Sequence, residues 1–217
     1  MDVREKYDRA SRTYNLITFG EDVRQGDDKR RLFSLARGRT IFVAVGTGND
    51  LKYLPPGLDI VGLDISPRMI ERARPRVAQY QGRLELRVMD VQRLAYADNS
   101  FDTAVTACTL CSVPDPIRGL RELHRVLKPG GQLLMFEHVR SNVPMIGLLL
   151  DALTYVSRLL GPDLNRDTTA NVRRAGFQIL REQNVYFDIV RTIEARKAES
   201  PGVRYAAEAG AAAVRAA

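Results

Sequence analysis

The chain has 217 residues, 45% hydrophobic and 27% charged, with a net charge of +7 and an isoelectric point near 9.7. That length supports one substantial core with modest appendages, and the composition excludes wholesale disorder. The positive balance points to a polyanionic partner (nucleic acid, an anionic membrane surface or a phosphate-bearing substrate), or simply to a solvated surface with surplus Lys and Arg.

From Arg4 to Phe33 the chain is polar and basic, with Tyr7, Tyr14, Ile17 and Phe19 interspersed, and is expected to form one or two helices ahead of the core. Thr40–Val45 is a short apolar run ending in Gly-Thr-Gly, a strand followed by a tight turn. Asp59–Asp64 is a second strand, and Pro67–Gln79 a helix that Pro75 should kink or shorten. Arg83–Met89 alternates Leu84, Leu86 and Val88 with charge, and Asp102–Cys108 is rich in small and β-branched residues; both are strands. Asp115 or Pro116 starts a helix carrying Leu120, Leu123 and Val126, which Pro129-Gly130-Gly131 ends. Gln132–Val139 is a fifth strand, Val143–Leu160 a helix, and Thr168–Ala175 a short helix closed by Gly176. Phe177–Asn184 and Asp188–Ala195 are two final strands, too closely linked for a helical crossover and so antiparallel. Ala206–Ala217 is an Ala-rich tail. Strands alternating with helices imply an α/β fold: a mostly parallel sheet covered on both faces.

Cys108 and Cys111 lie three apart and only His124 and His138 accompany them, so zinc ligation is not expected and a C-x-x-C redox pair is the weaker alternative. Few cysteines and no leader-like opening point to the cytoplasm. No apolar stretch reaches the ~18 residues needed to span a bilayer.

In such a sheet, ligands bind outside the carboxyl ends of the strands. The first strand ends Val45-Gly46-Thr47-Gly48, where glycine lets the backbone approach a ligand or simply makes a turn. The second ends Gly62-Leu63-Asp64-Ile65-Ser66; a carboxylate roughly 20 residues after the glycines can accept from both ribose hydroxyls, or cap the next helix. The third ends Met89-Asp90-Val91, where a carboxylate can accept from an adenine amino group or cap a turn. Leu51 stands where G-x-G-x-x-G would need its third glycine, which argues against a dinucleotide and for a nucleoside without phosphates.

Ala44-x-Gly46-x-Gly48, Gly62-Leu63-Asp64-Ile65-Ser66, Met89-Asp90-Val91, Ser100-Phe101-Asp102 and Leu127-Lys128-Pro129-Gly130-Gly131, in this order over residues 36–195, resemble the class I S-adenosylmethionine-dependent methyltransferases. The resemblance implies a Rossmann-like seven-stranded sheet of order 3-2-1-4-5-7-6 with the last strand antiparallel, and S-adenosylmethionine as cofactor. It implies that Val45, Gly46, Thr47 and Gly48 cradle the methionine and sugar, that Asp64 holds the ribose, that Ile65 and Met69 flank the adenine, that Asp90 and Val91 read its edge, and that Cys108 and Thr109 floor the site. Two positions depart: Phe42 stands where the family usually has an acid, a carboxylate that Asp50 is not expected to replace, and Ala44 replaces a glycine.

Tyr7-Asp8-Arg9-Ala10-Ser11-Arg12-Thr13-Tyr14-Asn15-Leu16 is similar to the lid of quinone-biosynthesis methyltransferases and of bacterial phospholipid N-methyltransferases. This divides the chain into a lid (1–35), a cofactor-binding domain (36–197) and a tail (198–217). Tyr14 is the aromatic hydroxyl expected at the methionine end. Glu137 and His138, at the end of the fifth strand, are the candidate catalytic groups, His138 because its ordinary pKa is near ~6.5. Arg140 and Arg166 are candidate phosphate contacts; His124 is read as structural.

The apolar helix 143–160 is expected to be buried, ahead of forming an apolar lip or lying on a membrane. Basic lid residues Arg4, Lys6, Arg9 and Arg12 suit an anionic leaflet at the inner membrane face. The leading expectation is N-methylation of phosphatidylethanolamine and its methylated derivatives. C-methylation of a quinone precursor is second and a soluble small-molecule acceptor third. No nucleic-acid recognition module is found. A non-catalytic binding protein on the same fold and a dehydrogenase are the readings outside this class, and oligomeric state is left open.

Overall fold

The computed structural model describes residues 2–199 apart from 19, 142, 161, 162 and 164, and not the side chains of 16, 17, 21–23 and 155–160. The expected Ala-rich tail, Phe19, and Gly161, Pro162 and Leu164 fall outside the described residues.

Three helices, not one or two, precede the sheet: α1 (Val3–Ala10), α2 (Tyr14–Ile17) and α3 (Glu21–Phe33). The strands are β1 (Arg39–Val43), β2 (Asp59–Asp64), β3 (Arg83–Val88), β4 (Phe101–Ala107), β5 (Leu127–His138), β6 (Phe177–Tyr186) and β7 (Val190–Lys197). They form one sheet of order 3-2-1-4-5-7-6, parallel except for β7, which runs antiparallel to both β5 and β6. This is the Rossmann-like methyltransferase fold, as expected from the sequence. The order reverses between β1 and β4, so a cleft opens at their carboxyl ends. A 3-10 helix (Asn49–Tyr53), α4 (Pro67–Val77), α5 (Pro116–Val126), α6 (Pro144–Leu160) and α7 (Thr168–Arg174) connect the strands.

Local chemistry sets the helix starts. The side chains of Ser66, Asp115 and Asp167 accept from the N–H groups of Met69, Arg118 and Ala170, and Pro67 and Pro116 occupy first-turn positions that need no donor. The cap of α4 is therefore Ser66, not Asp64. Pro75 sits inside the last turn of α4, which stops at Val77, two residues short of the expected end. β5 begins at Leu127: Pro129-Gly130-Gly131 is taken up as an irregularity between the Phe101–Leu127 and Thr103–Gln132 pairings.

Period-two alternation along the strands sorts the core into two layers. Ile41, Val43, Leu133 and Met135 pack on the side of α5 and α7; Phe42, Leu134 and Phe136 pack under α3. Phe42, where the family usually has an acid, is almost wholly buried and meets Phe33 edge-to-face with ring centroids 5.9 Å apart. It is a core residue. Asp50 does not take its place: it binds Lys29 of α3 at 3.0 and 3.2 Å. His124 is structural, packing edge-to-face on Phe177 at 5.0 Å.

The expectation of a buried helix at 143–160 is overturned for the part of α6 whose side chains are described. Met145, Leu148, Leu149 and Leu153 are exposed, while Gly147 and Thr154 face the protein. Gly147 lies against Ser141 and Arg140 so closely that a Cβ would meet the Ser141 carbonyl at 2.9 Å. The small residue thus seats the helix with its apolar side outward.

Candidate cofactor cleft and its lid

The carboxyl ends of β1, β2, β4 and the loop after β3 enclose a cleft with about 680 Å³ of empty space, and α1 and α2 roof it with Val3, Tyr7 and Tyr14. At the β1 end, Ala44 and Gly46 line it in left-handed backbone conformations, with φ of 51° and 57°. At the β4 end Cys108 does the same at 49°. For a non-glycine residue such a conformation costs about 1–3 kcal/mol and is retained at binding sites. A Cβ on Gly46 would come within 3.9 Å of the Tyr14 ring, so the glycine turn and the lid tyrosine face one another.

Asp64 ends β2 nearly buried. One carboxylate oxygen accepts from the Gly46 N–H at 2.9 Å and the other from the Ser66 N–H at 2.9 Å. Burial pushes its pKa up to about 6, against these hydrogen bonds, and Asp8 on the lid adds to the rise. With Ile65 and Met69 beside it on the cleft wall, Asp64 is placed to accept ribose hydroxyls. Asp90 and Val91 line the far end, next to Met89, Gln92 and Val113. The Asp90 carboxylate accepts from the Gln92 backbone N–H at 2.8 Å and from its amide at 3.0 and 3.1 Å, which leaves acceptor capacity for an adenine amino group.

Of the residues named from sequence, Tyr14, Gly46, Asp64, Ile65, Met69, Asp90, Val91, Cys108 and Thr109 meet on this cleft. Val45, Thr47 and Gly48 do not line it. Val45 turns into the layer under α3, Thr47 donates to Asn15 of the lid at 2.7 Å, and Gly48 packs against Leu51, Ala73 and Arg76. Glu137 is fully buried behind the cleft floor, accepting from the Thr106 hydroxyl at 2.8 Å, from the Thr109 N–H at 2.9 and 3.1 Å, and from the Leu110 N–H at 3.1 Å. Burial pushes its pKa up to about 7 while these donors pull it down. It braces the loop that carries Cys108 and Thr109. His138 lies beyond this loop, hydrogen-bonded to the buried Cys111. Arg140 is held by Asp151 of α6 at 2.8 and 3.1 Å, and Arg166 by Asp163 at 2.8 and 3.1 Å. Both arginines expected to grip phosphate already have carboxylate partners.

Sequence reasoning missed Tyr7 and Ser112, which line the cleft and share a 2.5 Å hydrogen bond. Burial pushes the Tyr7 phenol up to about 12. Nor did it find how the lid is fixed. Tyr7 reaches the loop after β4, Asp8 accepts from Ser66 Oγ at 2.5 Å after β2, and Asn15 accepts from Thr47 Oγ1 at 2.7 Å and Asn49 Nδ2 at 3.1 Å after β1. Three lid residues are each tied to a different strand end. Their i, i+1 and i+8 spacing carries no motif that announces this.

The fold and this cleft define a class I S-adenosylmethionine-dependent methyltransferase architecture, and S-adenosylmethionine is the cofactor that the group implies. Residues 42–135 match the family described as a methyltransferase domain. It is similar to the ubiquinone/menaquinone biosynthesis C-methyltransferase UbiE of Geobacter sp. (strain M21), 37% identical over 114 residues, 50% of this chain and 48% of that protein. It is also similar to the phosphatidylethanolamine N-methyltransferase of Cereibacter sphaeroides, 32% identical over 126 residues, 57% of this chain and 62% of that one. The chain spans about half the length of the first of these relatives. Among solved structures, an S-adenosylmethionine-dependent methyltransferase of Thermotoga maritima superposes with a TM-score of 0.68 at 22% identity, covering 90% of this chain and all of that one. The [4+2]-cyclase SpnF shares the fold at a TM-score of 0.66 and 21% identity, over 80% of each chain. The fold by itself therefore does not fix the reaction.

Proposed function

We propose that this chain transfers the methyl group of S-adenosylmethionine to a membrane-resident acceptor, and that the acceptor is the amine of a phosphatidylethanolamine-type head group and its methylated derivatives. The cofactor supplies an electrophilic methyl; the chain supplies alignment and a site screened from water. Asp64 and Asp90 fix the two ends of the nucleoside, the Ala44–Gly46 turn lets backbone approach it, and Tyr14 closes over that turn.

The observation that carries the amine reading is the set of hydroxyls from Tyr7, Ser112, Tyr14 and Thr109 around the cleft. A phenol held near 12 stays neutral, so Tyr7 offers a lone pair to an amine N–H but cannot deprotonate a hydroquinone. Either acceptor must shed a proton: the head-group ammonium can lose its proton to water before it attacks, whereas the quinone ring needs a positioned base, and His138 is not on the cleft wall. The quinone reading stands second because of the UbiE relatives and because Arg140 and Arg166 are already paired.

The test supplies labelled S-adenosylmethionine with vesicles containing phosphatidylethanolamine and, separately, a demethylated quinone. Label in the phospholipid is expected. Label in the quinone alone replaces the amine reading with the second one, and label in neither defeats both.

A further inference from the structure

The register of β5, β6 and β7 sets the Tyr186-Phe187 turn beside the carboxyl end of β5, because Val190 pairs with both Tyr186 and His138. α6 leaves from the same end, and Ser141 Oγ donates to Asp188 at 2.6 Å, tying the two together. Phe187 is 73% exposed, Met145 79% and Leu148 67%; Leu149, Leu153 and Tyr186 are exposed as well. Most of the large apolar side chains exposed among the described residues thus gather at this one end of the sheet, where contiguous patches mark interaction sites. Asp151 of α6 is paired with Arg140.

Across the cleft at the same edge, Arg12 of the lid and Arg68 and Arg72 in the first turns of α4 line a single shallow groove with Ser11 and Glu71. Among the described residues none of these three arginines forms a salt bridge. Arg4 and Arg9 of α1 are also exposed. The mouth of the cleft therefore lies between an apolar ridge and a cluster of unneutralised guanidinium groups. No helix of the described residues is long and apolar enough to cross a membrane.

We propose that this carboxyl edge is a bilayer-docking face: α6 and the Phe187 turn insert among acyl chains, while Arg12, Arg68 and Arg72 contact anionic lipid phosphates, so that the cleft opens onto the membrane surface. A bilayer accounts for both halves of the edge, since it alone presents apolar chains beneath a sheet of negative charge. The inference deepens the membrane-resident acceptor proposed above, and it is tested without turnover.

Vesicles of phosphatidylcholine alone or with phosphatidylglycerol are floated with the full chain in the absence of S-adenosylmethionine, at low and high salt. Binding to the anionic vesicles is expected, weakened by salt. Each arginine near the surface contributes roughly fivefold, so Arg12→Ser, Arg68→Ser and Arg72→Ser together weaken binding by about a hundredfold. Met145→Ser, Leu148→Ser and Phe187→Asn together weaken it by about tenfold or more; asparagine tolerates the left-handed backbone at 187. The apolar triple variant is expected to keep its rate on detergent-dispersed acceptor and lose it on vesicles. Equal binding to neutral and anionic vesicles, or binding unchanged in both triple variants, overturns the proposal. So does self-association in solution that the apolar variant abolishes, which would assign the ridge to a second copy of the chain. Vesicle binding without methylation of any lipid leaves the docking face standing and refutes the acceptor reading instead.

Discussion

Replacing Glu137 by alanine removes the carboxylate beneath the loop after β4 and leaves its three donors, the Thr106 hydroxyl and the N–H groups of Thr109 and Leu110, without their acceptor. The hydroxyl can rotate to another acceptor; the two buried N–H groups cannot. Each stranded donor costs about 1–3 kcal/mol. The cavity adds a further amount, partly offset by relief of the burial penalty that has pushed this carboxyl up to about 7. The net loss is about 4 kcal/mol, which lowers Tm by about 8–16 °C in a chain of this size. Glu137→Gln keeps one acceptor oxygen and is expected to recover most of the loss. Thermal and urea unfolding at pH 7.5 measure both, and calorimetric titration with S-adenosylhomocysteine reads the effect on the Cys108–Thr109 wall. A bracing role requires Glu137→Gln to retain activity within about fivefold of wild type once folded. Alanine within ~1 kcal/mol of wild type would refute the reasoning. So would a glutamine variant of full stability whose turnover falls a hundredfold, which would return Glu137 to the chemistry.

An ionised Asp64 accepts ribose hydroxyls more strongly than its neutral form, so S-adenosylhomocysteine affinity is expected to fall as pH drops through about 6; Asp64→Asn should bind more weakly with a flat profile, and a wild-type profile flat to pH 5 would count against the assignment. Because burial raises this carboxyl above its unfolded value, its contribution to folding stability is full below about 3.8 and is lost as pH rises through about 6, so unfolding at pH 5 and 7 should show a slope that Asp64→Asn reduces. Asp8 adds to the rise, so Asp8→Asn should move the midpoint of the binding profile lower and speed product release in stopped-flow measurements by loosening the lid. Asp50→Ala strands Lys29, which is only 4% exposed, and should cost about 3 kcal/mol in urea unfolding. Adding Lys29→Met should restore most of that loss if the cost is an uncompensated charge.

The strand ends were legible because they are local: Gly46 and Asp64 each close a short apolar run, and Asp90 follows a strand in which apolar residues alternate with charge. Alternation along β3, the start of α5 at Asp115 and the antiparallel last strand follow from the same short-range rules. Side-chain partnership was not legible. Glu137, Arg140 and Arg166 have the residue types of a catalytic and phosphate-binding set, yet donors and carboxylates from distant positions already engage them. Tyr7 and Ser112, 105 positions apart, form one edge of the cleft only because α1 folds over β4. The outward turn of α6 was hidden for a related reason. A helix apolar nearly all round does not reveal which side faces the protein, and here that is decided by the close seat of Gly147 on Ser141. The sequence alone determined the strands and the candidate residues at their carboxyl ends, because these rest on patterns within single elements, while the strand order followed from the family resemblance. The tertiary structure decided which candidate residues reach the cleft, how the lid is held, and where the apolar surface points, because each of these depends on contacts between elements.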